Sequence, residues 1–316
     1  MIDPRRTTII ANPAAAGGRV GARWSDIEKR LRAHLGECAF RVSRRRGDIS
    51  ALVRSAIDSG ADTILSLGGD GTHGEVLGGI MAASGGRVRL GILPAGTGGD
   101  FARMLVTGPA ASLDDAAGAL CVSPSAAIDV GSIEYTDDGG QPASRYFLNL
   151  ASVGISGLVD RLVNASSKRL GGHLSFLFGT ARALRTYRPV EARIVVDGHS
   201  VGDYVISTVT VCNGRYAGGG MIFAPDARLA DGLLDVILIR HGPLLRSLVD
   251  SRKLYYGTHV RSSRVSCWRG REVEVVPVGA ELALVDIDGD SPGRAPARFR
   301  VHPGAVDLIG ARLDML

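Results

Sequence analysis

The chain has 316 residues, 45% of them hydrophobic, and a net charge of +5, a composition that is ordinary for a globular protein and excludes a fibrous or globally disordered one. No apolar run reaches the roughly 20 residues of a membrane-spanning helix, and the opening MIDPRR lacks the apolar stretch of a signal peptide, so we expect neither. The cysteines have no CxxC spacing, which argues against a zinc site or a disulfide framework.

The first third of the chain alternates short apolar strands with helices. Strands are predicted over 7–11, 39–42, 63–67 and 88–93, and helices over 21–35, 49–58, 74–83 and from about residue 100. Strands that alternate with helices indicate a parallel sheet covered by helices. We therefore expect residues 1–127 to form an α/β domain.

Beyond about residue 128 the apolar residues recur with the period of two that is typical of strands. Such segments are 128–135, 146–151, 192–196, 204–212, 234–239, 273–277, 282–287 and 297–301, separated by turn sequences. The pattern predicts an antiparallel sandwich or barrel over 128–302. Two helical insertions, at about 158–187 and 243–259, interrupt it.

Positive charge is concentrated in residues 1–50 and 161–188. Such surfaces suit nucleic acid, anionic lipid headgroups or phosphorylated ligands, although a general use of arginine as the solvated residue explains them as well. The helix predicted in 161–188 either lies on an anionic membrane or packs on the second domain. Its apolar stripe would contain Leu170, Leu174, Leu177, Ala181 and Leu184, flanked by Arg182, Arg185 and Arg188.

The clearest motif is the glycine-rich loop GGDGTHG over 68–74, which follows a predicted strand and opens a helix. Glycines let the backbone approach a ligand, and the N–H groups at a helix start bind phosphate. The loop formally matches the dinucleotide fingerprint GxGxxG, but Asp70 would then lie beside the pyrophosphate. The chain contains no GxxxxGK(S/T) loop, and a tight turn without a ligand is the remaining alternative.

Two further loops follow neighbouring strands. The sequence PAGTGGDFAR occupies 94–103 after the fourth strand, and NPAAAGG occupies 12–18 after the first. The carboxyl ends of parallel strands meet at one edge of a sheet, so these loops can face the same ligand.

Together, GGDGT at 68–72, PxGTxxDFAR at 94–103 and the preceding strand–NP loop resemble the diacylglycerol kinase catalytic domain family, which includes bacterial lipid kinases and sphingosine and ceramide kinases. The resemblance runs nearly end to end, through FLNLASVG, APxAxxxDGLLD, DGD and VHPGA. It implies an N-terminal parallel α/β domain like those of NAD kinase and phosphofructokinase, a C-terminal antiparallel β-sandwich, and a nucleotide site in the cleft between them. It also implies that 303–316 packs back on the first domain.

The resemblance further assigns site residues by position. Asp70 is expected to act with Mg²⁺ and the phosphates of ATP, and Asp290 as the base that accepts the proton of a lipid hydroxyl. A structural Mg²⁺ is expected at the Asp231 carboxylate and the backbone carbonyls of Arg228 and Leu233. The expected nucleotide-binding residues are Asn12, Pro13, Ala14, Ala15, Ala16, Ser43, Gly68, Gly69, Asp70, Gly71, Thr72, His73, Gly74, Thr97 and Lys168.

The chain departs from the family pattern at several of these positions. Gly74 and Gly99 replace asparagines, Ala16 replaces a glycine, Ser43 replaces a threonine, and Asp290 replaces a glutamate that is one methylene longer. Ser43 keeps the hydroxyl of the threonine, so that change is mild. Each of the others is a loss of a polar contact or a shortened reach, but the glycine framework, Asp70, Thr97 and Asp100 are retained.

Three hypotheses follow for the function. The favoured one is an ATP- and Mg²⁺-dependent kinase of a diacylglycerol-like or sphingoid-like lipid, since the second-domain signatures match the lipid kinases. The others are a non-catalytic nucleotide- or lipid-binding relative and a kinase of a soluble substrate such as NAD. For the lipid kinase we expect a cytoplasmic protein in peripheral contact with the anionic inner face of the membrane and without a nucleic-acid partner. A homodimer is left open.

Overall fold

The computed structural model describes residues 2–45, 47–83, 87–96, 99–165, 172–243 and 252–316, without the side chains of 164–165 and 172–178. The chain divides into two compact units. Unit 1 comprises Met1–Val130, Leu229–Asp231 and Pro303–Leu316, and unit 2 comprises Gly131–Arg228 and Gly232–His302.

The strands are numbered in chain order: β1 (Thr7–Ala11), β2 (Ala39–Val42), β3 (Thr63–Gly68), β4 (Arg89–Pro94), β5 (Ser125–Asp137), β6 (Pro142–Phe147), β7 (Leu150–Gly154), β8 (Val190–Val196), β9 (His199–Cys212), β10 (Tyr216–Ala217), β11 (Met221–Ile222), β12 (Leu234–Arg240), β13 (Val265–Gly270), β14 (Glu272–Pro277), β15 (Val285–Ile287) and β16 (Gly293–Ile309). The α-helices are α1 (Arg19–Ala22), α2 (Trp24–Leu35), α3 (Ile49–Asp58), α4 (Asp70–Met81), α5 (Leu113–Val122), α6 (Ile155–Ala165) and α7 (Gly172–Thr186). Short 3₁₀ helices occupy Pro4–Arg6, Ala15–Gly18, Phe101–Met104, Thr258–Arg261 and Leu313–Met315.

Unit 1 is built on a parallel sheet in which β2, β1, β3 and β4 are neighbours in that order. Every residue of β3 is buried, as is usual for a central parallel strand covered by helices on both faces. Helix α2 turns its apolar residues inward at spacings of four and packs against α5, while α3 packs against α4. The buried residues of α2 are Ile27, Leu31 and Leu35.

The register of the parallel strands aligns their carboxyl ends. Ala11 at the end of β1 pairs with both Val42 and Leu67, and Gly68 pairs with Pro94. The loops that follow β1, β2, β3 and β4 therefore all leave the sheet at the same edge.

Unit 2 is antiparallel. Strands β13, β12, β9, β8, β14 and the first part of β16 are neighbours in that order, β7 pairs with β9 and β15, and β5 pairs with β6. Its core consists of inward-facing aliphatic and aromatic side chains, among them Val209, Val211, Val236, Val273 and Phe299. The expected fold class, a parallel α/β unit together with an antiparallel β unit, is confirmed.

Strand β16 belongs to both units along the chain. Its residues Ala297–Arg300 pair with β14 in unit 2, whereas Asp307 and Leu308 pair in parallel with β4 in unit 1. A single strand thus leaves unit 2 and completes the sheet of unit 1.

The structure corrects several predicted boundaries in unit 1. Helix α4 begins at Asp70 rather than at residue 74, because the N–H groups of Thr72 and His73 already donate to the carbonyl of Gly69. The helix predicted over 21–35 is divided at Arg23 into α1 and α2. The helix predicted from about residue 100 is only a 3₁₀ turn, since the backbone is extended at Leu105.

Unit 2 differs from its prediction in other ways. The strand expected over 146–151 is two strands, β6 and β7, and β13 was not predicted. The insertion at 158–187 forms α6 and α7, with residues 166–171 outside the described part of the chain. Ala181 is exposed while Ala183 is buried, so the buried face of α7 passes through Ala183 and not through Ala181 as expected.

In the insertion at 243–259, residues 244–251 lie outside the described part of the chain, and a 3₁₀ helix starts at Thr258. Within the described residues, the helices are all too short or too polar to cross a bilayer.

Candidate functional site

The two glycine loops of unit 1 touch each other through their backbones. A Cβ added to Gly96 would lie 2.6 Å from the Cα of Gly69, and the N–H of Ala95 donates to the carbonyl of Gly68 over 2.7 Å. A side chain at Gly96 would therefore force the two loops apart. By contrast, a Cβ added to Gly71 would meet nothing within 4 Å, so the start of α4 is open on that side.

Asp70 is the first residue of α4, where the N–H groups of a helix point outward. Its carboxylate oxygens lie 3.4 Å from the backbone nitrogens of Asp100 and Phe101, which belong to the second glycine loop. The side chain is only partly exposed, and burial raises its pKa, while the backbone N–H groups act in the opposite direction. Asp70 thus connects the two loops and carries a carboxylate whose charge is poorly solvated.

The loop after β1 is tied to the loop after β3 by Asn12. Its Nδ2 donates to Oγ1 of Thr72 over 3.0 Å, and its Oδ1 accepts from the N–H of Ala14 over 3.0 Å. The backbone then passes through Ala16 with φ of 55°, a left-handed conformation that L-residues rarely adopt. The hydrogen bond between Asn12 and Thr72 joins the loop after β1 to the loop after β3 at the same edge of the sheet.

His73 and Ser43 lie below the surface of this edge. The imidazole of His73 is buried, with Nδ1 2.7 Å from Oγ of Ser66 on β3. Burial lowers the pKa of His73 to about 3, so the ring is neutral. Ser43 is also buried, and its N–H donates to the carbonyl of Ala11 over 2.9 Å.

Most of the residues expected to bind the nucleotide lie in the loops at this edge of the sheet. Thr97 and Lys168 are outside the described residues. The structure places together at the carboxyl edge of the sheet the segments Asn12, Pro13, Ala14, Ala15 and Ala16, then Ser43, and then Gly68 to Gly74. Their contacts with a nucleotide remain a prediction.

In unit 2, Asp290 ends a tight turn that follows β15. The N–H of Ile287 donates to the carbonyl of Asp290 over 2.8 Å, and the N–H of Asp290 donates back over 3.0 Å. The Asp290 carboxylate accepts from Nη1 of Arg145 on β6 over 2.8 Å, and its side chain is 30% exposed. The expected base is therefore accessible and oriented by an arginine that the sequence did not single out.

Asp288 anchors the same turn from its other side. It has φ of 47°, and its carboxylate accepts the N–H groups of Leu148, Asn149 and Leu150 at 3.0 to 3.2 Å. These bonds also explain the break between β6 and β7, because the N–H groups of the connecting residues are directed at Asp288.

Sequence reasoning missed a pair of carboxyl groups beneath this turn, the buried Asp286 and the half-buried Asp160. Asp286 on β15 is buried and accepts from Oγ of Ser152 over 3.3 Å and from the N–H of Gly289 over 2.9 Å. Asp160 on α6 lies against it, and burial raises the pKa of both carboxyls. The available signal was an aspartate within the predicted apolar strand 282–287.

The expected structural metal site lies on the turn that precedes β12. Arg228 is exposed, Asp231 and Leu233 are half-buried, and Gly232 has φ of 72°. Among the residues that the structure describes, no group of three or more His, Cys, Asp or Glu is arranged to hold a metal ion. The predicted site uses one carboxylate and two backbone carbonyls, so it stays a prediction.

The chain thus combines a parallel α/β unit with paired glycine loops and an antiparallel β unit with an acidic turn. The chain matches the diacylglycerol kinase catalytic domain over residues 6–133 and the YegS C-terminal NAD kinase beta sandwich-like domain over residues 149–310. It therefore belongs to the diacylglycerol kinase catalytic domain family, which confirms the resemblance seen in the sequence.

Individual relatives agree with this assignment. The chain is 32% identical over 275 residues to a probable YegS-like lipid kinase of Pseudomonas aeruginosa, covering 85% of this chain and 83% of the relative. It is 28% identical over 313 residues to a diacylglycerol kinase of Mycobacterium tuberculosis, covering 97% and 96%.

The fold is also shared with solved structures. A putative diacylglycerol kinase from Bacillus anthracis superposes with a TM-score of 0.76 at 22% identity, covering 98% of this chain and 96% of that one. Yeast NADH kinase superposes with a TM-score of 0.53 at 11% identity, covering 99% and 85%. At these identities the likeness concerns the fold alone.

Proposed function

We propose that this protein is an ATP- and Mg²⁺-dependent kinase that phosphorylates the hydroxyl group of a diacylglycerol-like or sphingoid-like lipid. The observation that carries the proposal is the junction of the glycine loops at the carboxyl edge of the parallel sheet, with the Asp70 carboxylate between them. Membership of a lipid kinase family supports the choice of a lipid over a soluble acceptor.

The loops of unit 1 offer backbone N–H donors of the kind that bind a nucleoside triphosphate. Open backbone at Gly71 and the N-terminus of α4 offer N–H groups to phosphate oxygens, as helix starts do in other phosphate sites. Asn12 and Thr72, already bonded to each other, hold the neighbouring loop against this helix start. Phosphoryl transfer depends mostly on such positioning and on stabilisation of negative charge.

Asp70 fits the expected Mg²⁺ by the chemistry of its donors. Its oxygens are hard ligands of the kind that Mg²⁺ prefers, and its poorly solvated charge would be offset by a cation. When bound, Mg²⁺ would neutralise charge that develops on the phosphate oxygens. Asp70 itself would keep the two glycine loops in register through the backbone of Asp100 and Phe101.

Asp290 is proposed as the general base. It would accept the proton of the lipid hydroxyl while the hydroxyl oxygen attacks the γ-phosphorus and ADP leaves. Arg145 would orient its carboxylate, and the backbone bonds between Ile287 and Asp290 would fix the turn that carries it. Because aspartate is one methylene shorter than the glutamate of the family, the turn itself would have to bring the carboxylate closer to the hydroxyl.

Contact with the membrane is proposed to involve the C-terminal part of α7. Arg182 and Arg185 are exposed on it, and Arg188 follows it 3.8 Å from Glu281. Exposed arginines next to a lipid substrate would attract the anionic inner leaflet of the cytoplasmic membrane.

The test uses purified protein, Mg²⁺, ATP labelled with ³²P at the γ position, and a mixed lipid extract in detergent micelles separated by thin-layer chromatography. We expect a labelled lipid with the wild type and none with Asp70→Asn. Asp58→Asn, the same substitution at an exposed position of α3, is the matched control and should retain the label. Absence of labelled lipid while ATP still binds would contradict the proposal and would indicate either a kinase of a soluble substrate or a non-catalytic nucleotide-binding protein.

A further inference from the structure

Two tyrosines lie exposed side by side on a turn of unit 2. Tyr255 is 46% exposed and Tyr256 is 78% exposed, and among the residues that the structure describes no other aromatic ring is exposed to this extent. An aromatic ring gains much free energy when it leaves water, and adjacent exposed rings are typical of an interaction site. The turn is therefore a candidate docking surface.

The backbone of this turn is fixed from beneath. Leu254 is buried in an apolar cluster that includes Phe223. Gly257 has φ of 65°, and a Cβ added to it would lie 3.0 Å from Cγ of Pro225. Just after the turn, the buried His259 donates from Nε2 to the carbonyl of Phe223 over 3.0 Å. Residues 254–257 thus carry the two exposed rings on a backbone that is anchored at both ends.

The tyrosines belong to a basic stretch of the chain. Residues 252–265 contain four basic residues and no acidic one. The basic residues are Arg252, Lys253, Arg261 and Arg264, of which Arg252 and Arg261 are exposed. Asp226, the residue after Pro225, is also exposed and offsets one of these charges. The surface around the two rings is therefore positive.

A series of contacts connects this basic stretch to the end of α7. The ring of Tyr187, which follows α7, lies 6.5 Å from that of His241. His241 follows Arg240, the last residue of β12, whose N–H donates to the carbonyl of Arg264 over 3.0 Å. Nη2 of Arg264 in turn donates to the carbonyl of Arg240 over 2.7 Å. The basic stretch and the arginines of α7 thus belong to one connected part of unit 2.

An anionic membrane surface matches both properties of the turn. Tyrosine rings are enriched at the boundary between headgroups and acyl chains, where the ring is removed from water while its hydroxyl stays hydrated. Basic residues beside the rings are attracted by anionic headgroups. A second copy of this chain would present the same positive charge, and like charges across an interface oppose association.

We propose that the turn 254–257 is an interfacial membrane anchor, in which Tyr255 and Tyr256 enter the headgroup region of an anionic membrane while Arg252 and Arg261 bind its headgroups. This deepens the proposed function and rests on it, since a kinase of a membrane lipid has to work at the surface that holds its substrate. The arginines of α7 would supply charge alone, and the turn would add the apolar contribution.

Two double variants separate the apolar contribution from the electrostatic one. The first is Tyr255→Ser with Tyr256→Ser, and the second is Arg252→Gln with Arg261→Gln. Binding is measured by co-sedimentation with vesicles of phosphatidylglycerol and phosphatidylcholine, at about 0.05 M and about 0.3 M salt.

The two double variants should respond differently to salt. The tyrosine variant should bind about tenfold more weakly than the wild type at both salt concentrations, because salt does not screen the burial of apolar surface. The arginine variant should bind about 30-fold more weakly at low salt, and its defect should fall below about fivefold at high salt.

Two controls accompany the tyrosine variant. Val122→Ser removes an apolar side chain that is 79% exposed on α5 of unit 1, and it should leave vesicle binding unchanged. Tyr255→Phe with Tyr256→Phe keeps both rings, so it should bind within about twofold of the wild type.

The depth of the turn in the membrane is measured separately. In Tyr256→Trp, lipids brominated on their acyl chains should quench the added fluorescence, whereas Trp24 and Trp268 of the wild type provide the background. Quenching no greater than that of the wild type would contradict the insertion of this side chain.

Wild-type vesicle binding by the tyrosine variant at both salt concentrations would overturn the proposal. It would equally be overturned if this variant changed only the oligomeric state, measured by analytical ultracentrifugation, because the turn would then be an interface between protein chains. None of these measurements requires ATP or turnover. Absence of lipid phosphorylation in detergent micelles would therefore refute the proposed kinase and leave the membrane anchor standing.

Discussion

Ala16 occupies a backbone conformation for which glycine is suited. Its φ of 55° costs an L-residue roughly 1–2 kcal/mol. We expect Ala16→Gly to raise the free energy of unfolding by up to about 1 kcal/mol, the relief of strain being partly offset by the greater freedom of the unfolded chain. Urea denaturation at neutral pH measures this.

The neighbouring Ala14 is the matched control. Its φ of −77° is ordinary, so Ala14→Gly should lower the free energy of unfolding by about 0.5–1 kcal/mol. Equal changes for the two variants would show that the left-handed conformation at Ala16 is not strained.

His73 makes the stability of unit 1 depend on pH. Its pKa of about 3 in the fold lies below the ordinary value near 6.5, so between these values only the unfolded chain binds the proton. The contribution of neutral His73 to the free energy of unfolding is therefore fully present above about pH 6.5 and is lost as the pH is lowered towards 3. Relative to His73→Asn, the wild type should lose about 2 kcal/mol more between pH 6.5 and 5.

Urea denaturation of both proteins at several pH values provides the comparison. Asparagine can still accept from or donate to Ser66, and above pH 7 both proteins lack a charge at this position. Identical pH dependence would show that folding does not lower the pKa of His73 and would contradict this prediction.

At the scale of residues, sequence patterns predicted the groups that lie in contiguous loops. Asp70, Asn12 and the glycines belong to contiguous loop motifs, and the resemblance of these motifs to the diacylglycerol kinase family assigned their roles. Arg145 could not be found in this way, because its contact with Asp290 joins positions far apart in the chain. Asp160 lies in an amphipathic helix, where an aspartate is expected to face solvent.

Among the elements, the contact between the two glycine loops is the least tolerant of a side chain. Gly96→Ala would place a methyl group 2.6 Å from the Cα of Gly69. We expect a loss of roughly 1–3 kcal/mol in the free energy of unfolding and weaker ATP binding, because β3 and β4 must separate at their ends. Calorimetric ATP titration together with urea denaturation tests both effects.

Gly71→Ala separates the effect of a side chain on ATP binding from its effect on stability. A Cβ there meets nothing within 4 Å and lies within the first turn of α4, so the fold should lose no stability. ATP binding should nevertheless weaken, since the methyl group would project into the open side of the loop. Loss of stability in this variant, or unchanged stability in Gly96→Ala, would contradict the described packing.

The type of each long element was predictable, and its ends were less so. Strands β1 and β2 and helix α3 have the predicted bounds, because their apolar period stops where turn residues begin. Helix α4 starts inside the glycine loop, where the propensity of glycine argues against a helix and backbone bonds to Gly69 override it. Strand β13 has a mixed burial pattern, which conceals its period of two.

At the scale of the whole molecule, the positive charge predicts how association with membranes depends on salt. Removal of two exposed arginines, in Arg182→Ala with Arg185→Ala, should weaken binding to anionic vesicles about 30-fold, at about 1 kcal/mol for each. Raising the salt from about 0.05 M to about 0.3 M should weaken binding of the wild type as well. Vesicle co-sedimentation measures both.

Vesicles of zwitterionic lipid serve as the control for this experiment. Binding that is insensitive to salt, or equal for both lipid compositions, would indicate apolar insertion or another surface and would contradict a role for these arginines.

Strand β16 has a consequence for how the protein is made. Pro303–Leu316 belongs to unit 1, yet the ribosome synthesises this segment after all of unit 2. While it is still inside the exit tunnel, β4 lacks the neighbour supplied by Asp307 and Leu308, and the edge of the nascent sheet stays uncovered. Unit 1 can therefore complete its fold only after translation has passed Ile309, so a prematurely terminated chain would expose an open strand edge to chaperones and proteases before its parallel sheet is finished.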